Sequence, residues 1–444
     1  MKLSIVSLLL TLLVFSLFIY APTTNAETPS WEREKHVGTE TELRNAVNEV
    51  TRETSVIIIF DRDIYLTETT LAIFPRTEVT LRSNTELAKE SGVKFFRLIG
   101  VSDVSTITVE SGGVLKLDGI IVTHNEGDYG RGVDVNLDSI LRMTDGEISN
   151  NTSNHGGIHN LGSFTMSGGK ILDNTATETG GGICNQGKVN LSGGKISGNT
   201  AETGGGVSNS NDKMSFTMSG GEITNNTART EGGGVQNSHG STFNLVNGVI
   251  SGNTADCGGG VYNWNSNFFM SGGEITNNTA TNTGSGGGGV WFDGGRFEMT
   301  DGVITGNRAP NGGGIYANNG RVQLSSGVIS NNTASNNGGG IYATILEELY
   351  ISDGMVFSDN QAPTAYERNP EHDEIYHAQI GANVVWTLPF NQGYNNYDIS
   401  YTSGPLIFSN QTNPTKTPIY LIGLITLIIC IIVAVLNFYF KKQE

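Results

Sequence analysis

The sequence has little cysteine, little proline and few charged residues. It contains 3 cysteines and 10 prolines among 444 residues, and 16% of the residues are charged. Three cysteines are too few for a framework of disulfides, and Cys184 and Cys257 are predicted to be unpaired surface or corner thiols. Glycine is abundant, with 60 residues, but no Gly-X-Y period occurs, which excludes collagen. Apolar residues make up 37% of the chain and recur at regular intervals, which excludes intrinsic disorder.

Positive charge is also scarce. The chain has 26 lysines and arginines against 43 aspartates and glutamates, a formal net charge of −17. A nucleic-acid partner needs a basic surface, so none is predicted. The histidines and cysteines do not show the spacing of a metal motif, and no cofactor motif occurs, so the sequence predicts neither. His155 and His159 lie in a strand–turn region and are predicted to be solvated.

The N-terminus is typical of a secretory signal. Lys2 precedes an apolar run that ends at Tyr20, and small residues lead up to Ala26. This order predicts a signal peptide over residues 1–26. An uncleaved N-terminal anchor is the alternative interpretation.

The C-terminus is typical of a membrane anchor. Residues 419–440 form an apolar segment long enough to cross a bilayer as a helix. A polar stalk over 409–418 precedes it, and a cytoplasmic tail of residues 441–444 follows. The two ends together predict a single-pass type I membrane protein with its ectodomain outside the cell. A cell-wall sorting signal is the alternative, although the Leu-Pro-x-Thr-Gly motif is absent.

An internal repeat is the main signal of the sequence. Between residues 140 and 362 the chain repeats a unit that begins with an apolar-x-apolar triplet and continues to a glycine run. After a degenerate first copy at Leu141, the copies are 25 to 29 residues long. Each copy contains three short strands with one apolar side and three corners that glycine favours. This pattern predicts an all-β, single-stranded parallel β-helix of about nine coils, right-handed by the general preference of parallel crossovers. The inward residues predicted for the second strand are Ile148, Ile171, Ile196, Ile223, Ile250, Ile275, Ile304, Ile329 and Val356.

Asparagine follows the second strand in every copy. Its side-chain amide both donates and accepts, and asparagine tolerates a left-handed backbone. Stacked at one corner, these residues are predicted to form a structural amide ladder; ligand contact is the alternative. The ladder residues are Asn151, Asn174, Asn199, Asn226, Asn253, Asn278, Asn307, Asn332 and Asn360.

Less regular segments flank the repeat. Residues 27–139 are predicted to hold an N-terminal cap and irregular coils, with an amphipathic helix from Thr39 to Val50 covering the first coil. Residues 363–408, rich in aromatic side chains, are predicted to cap the other end. A small separate binding module is the alternative for this segment.

One column of equivalent positions lies on the outer side of the third strand, and its residues in the later copies are aromatic. The column comprises His159, Cys184, Ser208, Gln236, Tyr262, Trp291, Tyr316 and Tyr342. Such rings at intervals of about 4.8 Å can contact sugar rings or flat protein surfaces, or they can only stabilise the sheet by stacking. The candidate ligand-binding strip, with glycans or surface proteins as the predicted partners, comprises Tyr262, Trp264, Trp291, Tyr316 and Tyr342.

The repeat resembles known β-helix families. Its Gly-Gly-Gly-Ile/Val-Tyr and Ile-x-x-Asn-Thr-Ala elements are similar to elements of chlamydial polymorphic membrane proteins, and to the adhesin-like proteins of the pectin-lyase-like superfamily. The resemblance covers residues 140–362 by motif, and it implies a surface adhesin or structural surface protein. The same fold hosts polysaccharide lyases and glycoside hydrolases, so an enzyme is the alternative.

An enzyme of this fold needs acidic groups clustered over adjacent coils, with paired carboxylates for hydrolysis or a basic residue for lysis. The acidic residues of the repeat show no such cluster. Asp145, Asp301 and Asp353 share a coil position but lie in coils that are not adjacent, the closest two being two coils apart. We therefore interpret the chain as a non-enzymatic surface protein.

Overall fold

The computed structural model describes residues 32–50, 54–212, 214–345, 348–363, 385–386 and 396–401. Over these residues the backbone forms a parallel β-solenoid of about 12 turns. The strands pair in parallel with strands of the preceding and following turns. The predicted all-β parallel fold is confirmed.

Nine strands and two short helices precede the regular repeat. The helices are α1 (Glu40–Asn48) and α2 (Thr85–Glu90). The strands are β1 (Glu32–Val37), β2 (Ser55–Phe60), β3 (Ile64–Tyr65), β4 (Leu71–Ile73), β5 (Glu78–Ser83), β6 (Arg97–Ile99), β7 (Ile107–Val109), β8 (Val114–Thr123) and β9 (Val133–Val135).

The repeat supplies the next 25 strands, and several of them continue through a corner. They are β10 (Ile140–Ser149), β11 (Thr152–Ser153), β12 (Ile158–Asn160), β13 (Ser163–Met166), β14 (Lys170–Leu172), β15 (Thr175–Ala176), β16 (Ile183–Asn185), β17 (Lys188–Leu191), β18 (Lys195–Ser197), β19 (Thr200–Thr203), β20 (Val207–Ser210), β21 (Ser215–Thr224), β22 (Thr227–Glu231), β23 (Val235–Ser238), β24 (Thr242–Ser251), β25 (Thr254–Ala255), β26 (Val261–Thr276), β27 (Thr279–Ala280), β28 (Val290–Thr305), β29 (Arg308–Asn311), β30 (Ile315–Ala317), β31 (Arg321–Ser330), β32 (Thr333–Asn337), β33 (Ile341–Ala343) and β34 (Leu349–Ser358). Two further strands are β35 (Val385–Trp386) and β36 (Ile399–Tyr401).

These strands stack in four columns. The first-strand column runs from β1 through β10, β13 and β17 to β34, and the second-strand column runs from β3 to β35. The third-strand column begins at β4 and ends at β36. The sequence did not predict the fourth column, an eight-stranded sheet of the short Thr-Ala strands from β11 to β32. The irregular N-terminal segments therefore join the same columns as the repeat.

The interior is built from side chains stacked in register. Phe216, Phe243, Phe268 and Phe297 are fully buried, and neighbouring rings stack with centroids 4.8–5.0 Å apart. A single turn cannot bury these rings alone, so each turn depends on its neighbours for its apolar core.

The ladder asparagines lie in one buried line. From Asn151 to Asn360, each Nδ2 donates to the Oδ1 of the next ladder residue at 2.9–3.0 Å. Asn226 shows the full pattern: its Nδ2 also donates to the carbonyl of Ile196, and its Oδ1 also accepts the backbone N–H of Asn199. All four hydrogen-bonding positions of the amide are used. The buried side chain therefore leaves no donor or acceptor unsatisfied.

The left-handed corner lies one residue earlier than the sequence predicted. The residue before each ladder asparagine, and not the asparagine itself, has positive φ, as at Asp173 (54°), Gly198 (67°) and Asn225 (55°). Asp, Asn and Gly are the residues that tolerate this conformation. The ladder residue keeps an ordinary backbone, and its side chain turns into the solenoid.

The third position of the glycine run must be glycine because the adjacent ladder leaves no space for a side chain. A Cβ on Gly182, the third glycine of its run, would lie 2.6 Å from the carbonyl oxygen of Gly206 and 3.1 Å from Nδ2 of Asn199. Both distances are shorter than normal van der Waals contacts. The buried ladder therefore requires the glycine run beside it.

One inward residue was predicted wrongly. In the last complete turn Phe357 pairs with Ile329 and is fully buried, whereas Val356 pairs with Val328. The inward residue precedes the ladder asparagine by three positions in every turn, and only Phe357 has this spacing from Asn360.

Helix α1 covers the start of the solenoid, and two short strands follow the last turn of the repeat. Helix α1 packs against β1 and β2 with Leu43 and Val47 buried, and the Thr39 side chain accepts from the backbone N–H of Glu42. Strands β35 and β36, within the predicted cap 363–408, extend the second- and third-strand columns. Helix α2 was not predicted.

The predicted signal peptide (1–26), stalk (409–418), transmembrane segment (419–440) and tail (441–444) lie outside the described residues. Of the helices that the structure describes, none has the length and apolar character needed to span a bilayer.

The ladder predicts that replacing one of its asparagines greatly lowers the stability of the protein. Asn226→Ala removes four side-chain hydrogen bonds and leaves buried groups of the adjacent turns unsatisfied. We expect the free energy of unfolding to fall by roughly 3–6 kcal/mol, at about 1–3 kcal/mol for each unsatisfied group. Chemical denaturation of the full-length chain measures the change. The control is Asn190→Ala, a half-exposed asparagine of β17, for which a loss below about 0.5 kcal/mol is expected; equal effects would contradict a structural ladder.

Candidate functional site

The outer side of the third-strand column meets the segment that precedes each glycine run. We call this surface the third-strand flank. Its floor comprises His159, Cys184, Ser208, Gln236, Tyr262, Trp291, Tyr316 and Tyr342. Its rim comprises His155, Thr179, Thr203, Glu231, Cys257, Gly286, Asn311 and Asn337. The glycine corner folds the rim back over the floor, so side chains of the two rows touch.

The C-terminal stretch of the flank is an aromatic stack. The rings of Tyr262 and Trp291 lie parallel with centroids 4.3 Å apart, Trp291 and Tyr316 are 6.3 Å apart, and Tyr316 and Tyr342 are 5.2 Å apart. Cys257 of the rim packs against this cluster. Four of the five predicted strip residues therefore form one stack.

The stack hides its own ring faces. Tyr262, Trp291 and Tyr316 are each 8% exposed, and each ring face covers its neighbour's. A sugar ring needs a free aromatic face, so this geometry favours the stabilising interpretation for these three residues. The indole N–H of Trp291 is buried without a hydrogen-bond partner among the described residues.

Trp264 differs from the rest of the predicted strip. It lies two residues beyond Tyr262 on β26, is 38% exposed, and its ring meets that of His239 edge to face at 5.3 Å. Phe292, the register partner of Asn263, points into the core. Trp264 therefore offers the accessible aromatic surface of this group.

The middle of the flank is a polar network. The Gln236 Oε1 accepts from Ser208 Oγ at 2.8 Å and from Thr203 Oγ1 at 3.3 Å, while its Nε2 donates to Glu231 at 3.3 Å. Burial, reinforced by the Glu231 carboxylate, raises the pKa of Tyr262, so its hydroxyl stays protonated beside that carboxylate. This network links the aromatic stack to the N-terminal stretch.

The N-terminal stretch brings together side chains that the sequence analysis treated separately. The ligand-type atoms of His155, His159 and Cys184 all lie within 4.8 Å of one another. The prediction that both histidines are solvated is wrong, since the His159 side chain is 17% exposed and His155 is half-buried. Cys184, predicted as a surface or corner thiol, is 2% exposed. Cys184 and Cys257 are both free thiols.

A shallow cavity of about 630 Å³ lies beside the second-strand column. Its lining includes Arg97, Glu126, Glu147 and Asp173. Arg97 is already paired with Asp63, and Glu147 accepts from Lys170 at 3.1 Å. Arg97 and Glu147, two of the four charged groups that an acid–base mechanism could use, are therefore already engaged in ion pairs.

The stack predicts different effects for two tryptophans. Trp291→Ala removes a ring packed between two others and leaves a cavity, so we expect a loss of about 3 kcal/mol or more in the free energy of unfolding. Trp264→Ala removes an exposed ring and should cost less than about 1 kcal/mol. Denaturation midpoints of the two full-length variants check the difference. Equal, small losses would show that the stack contributes little.

Comparison with known proteins supports the assignment of the repeat. Residues 326–344 match the model of the Chlamydia polymorphic membrane protein repeat. This segment contains the second strand, ladder residue Asn332, the glycine run and the third strand of one turn. The searches of curated proteins and of solved structures found no match. The matched repeat and the β-solenoid fit a surface protein of adhesin type.

Proposed function

We propose that this chain is a membrane-anchored adhesin of the cell surface, whose solenoid carries a lateral binding face for glycans or surface proteins. The observation that carries the proposal is the continuous, fully satisfied ladder from Asn151 to Asn360. The ladder holds nine of about 12 turns in register, which gives a stiff body whose outward positions vary without disturbing the core.

The binding face is assigned to the part of the flank around Trp264. This indole is exposed, and the imidazole of His239 lies against it in an edge-to-face arrangement. A rigid aromatic ring with an adjacent imidazole can stack on a sugar ring or enter a pocket of a protein partner. The neighbouring stack of Tyr262, Trp291 and Tyr316 supports the strand that presents it.

The net charge of −17 supports the same partner classes. An acidic surface repels nucleic acid and anionic lipid, while neutral glycans and basic protein surfaces are compatible with it. The proposed anchor is the apolar segment 419–440, which would hold the solenoid outside the cell, with helix α1 as the cap of its first turn.

The runner-up is a polysaccharide lyase or glycoside hydrolase that uses the cavity beside the second-strand column. Its carboxylates Glu126, Glu147 and Asp173 and the guanidinium of Arg97 favour this alternative. Release of reducing ends or of unsaturated products from acidic and neutral polysaccharides, abolished by Glu147→Gln, would support the enzyme and overturn the adhesin proposal.

The adhesin proposal predicts a specific loss of binding. Cells or beads displaying the full-length chain are tested against glycan and host-surface arrays, and Trp264→Ala is expected to weaken capture about tenfold or more. The matched control is Tyr65→Ala, another exposed aromatic, which lies in the second-strand column away from the flank and should bind normally. Unchanged capture by the Trp264 variant, with the fold intact, would remove this residue from the binding face.

The proposed anchor predicts that removing the apolar segment moves the protein from the membrane to the medium. A chain truncated after Thr417 lacks the apolar segment and is expected in the culture medium, whereas the full-length chain should fractionate with membranes. Immunoblotting of medium and membrane fractions measures the distribution. Retention of the truncated chain on membranes would contradict anchoring by residues 419–440.

A further inference from the structure

The start of the third-strand flank has the composition of a metal site. His159 lies at the centre of β12 and Cys184 at the centre of β16, and the two are register partners in adjacent turns. Their side chains therefore leave the same face of the sheet about 4.8 Å apart. His155 approaches from the rim, and its ring centroid lies 5.0 Å from that of His159.

The donor set suits a borderline-soft transition ion. Two imidazoles and a thiol supply three ligand atoms that all lie within 4.8 Å of one another. Ligand atoms around a tetrahedral Zn²⁺ are about 3.5 Å apart, given bonds of about 2.0–2.3 Å. Small side-chain rotations close this difference. Hard ions such as Ca²⁺ and Mg²⁺ prefer oxygen ligands, so this set disfavours them.

Neighbouring groups orient the ligands as protein metal sites require. The Nδ1 of His159 lies 3.2 Å from the Asp134 carboxylate, which Arg131 holds through bonds of 2.8 and 3.0 Å. This carboxylate–imidazole contact fixes the ring and leaves Nε2 free for an ion. The Thr179 hydroxyl lies 3.4 Å from both the Cys184 sulfur and the Nδ1 of His155.

The charged side chains around the site are compatible with a bound cation. Arg131 offsets the Asp134 carboxylate, and Glu178 supplies a further negative charge near His155 and Cys184.

The other cysteine of the flank lacks these partners. Cys257 contacts Ser285 Oγ at 3.0 Å and the aromatic stack. It therefore serves as a matched comparison: a flank thiol with a hydroxyl neighbour but without imidazoles.

We propose that His155, His159 and Cys184 bind one Zn²⁺ ion, which links two successive turns at the start of the flank. The three protein ligands leave the fourth tetrahedral position for a solvent molecule. Asp134 acts as a positioning residue through His159.

The test uses purified full-length protein freed of metal by chelation. Titration with Co²⁺ is expected to saturate at one ion per chain and to give both the d–d absorption of a tetrahedral site and a thiolate-to-cobalt charge-transfer band. Zn²⁺ should displace the cobalt, and competition with a chromophoric chelator gives its affinity.

Variants separate the site from adventitious binding. Cys184→Ser should abolish the charge-transfer band and weaken Zn²⁺ binding at least tenfold, and His159→Ala should weaken binding similarly. Asp134→Asn should weaken it about tenfold with the band retained, as expected for an orienting group. Cys257→Ser should match the wild type. Circular dichroism confirms that each variant is folded. Failure of the wild type to bind one equivalent, absence of the thiolate band, or equal affinities of wild type and Cys184→Ser would overturn the proposal.

Discussion

The column of buried asparagine amides fixes the register of the whole solenoid. Each amide has two donors and two acceptor positions, and at Asn226 the adjacent turns supply all four partners. A turn displaced by one residue would leave these groups unsatisfied in the core, at about 1–3 kcal/mol each. The ladder ends are also occupied: His124 lies 2.8 Å from Asn151, and Asn360 donates to Asp398 at 2.9 Å.

The rest of each turn adapts to this constraint. A residue with positive φ must precede the asparagine, and a glycine must face it, because no Cβ fits between the ladder and the next carbonyl. The apolar columns then come into register without further specification, and the phenylalanine rings stack at 4.8–5.0 Å. The core is therefore repetitive by necessity, whereas the outward positions are free to differ.

The third-strand flank uses that freedom. Along one line of equivalent positions it changes from imidazoles and a thiol, through the network around Gln236, to stacked aromatic rings. Because the scaffold is common to all turns, each stretch can carry a separate role on the same surface. This organisation suits a surface protein, in which a rigid body presents chemically distinct patches to the outside.

The repeat spacing alone placed His159 beside Cys184 and Tyr262 beside Trp291, since a period of 25 to 29 residues assigns equivalent positions in successive turns. Position within a turn is a local property of pattern, so the sequence by itself determined the columns and the ladder. The tertiary structure decided what covers them. The short Thr-Ala strand and the glycine corner fold the rim over the floor, which brings His155 to Cys184 and hides the faces of the aromatic rings. Burial and approach between rows depend on the angle of that corner, and no spacing in the sequence encodes an angle.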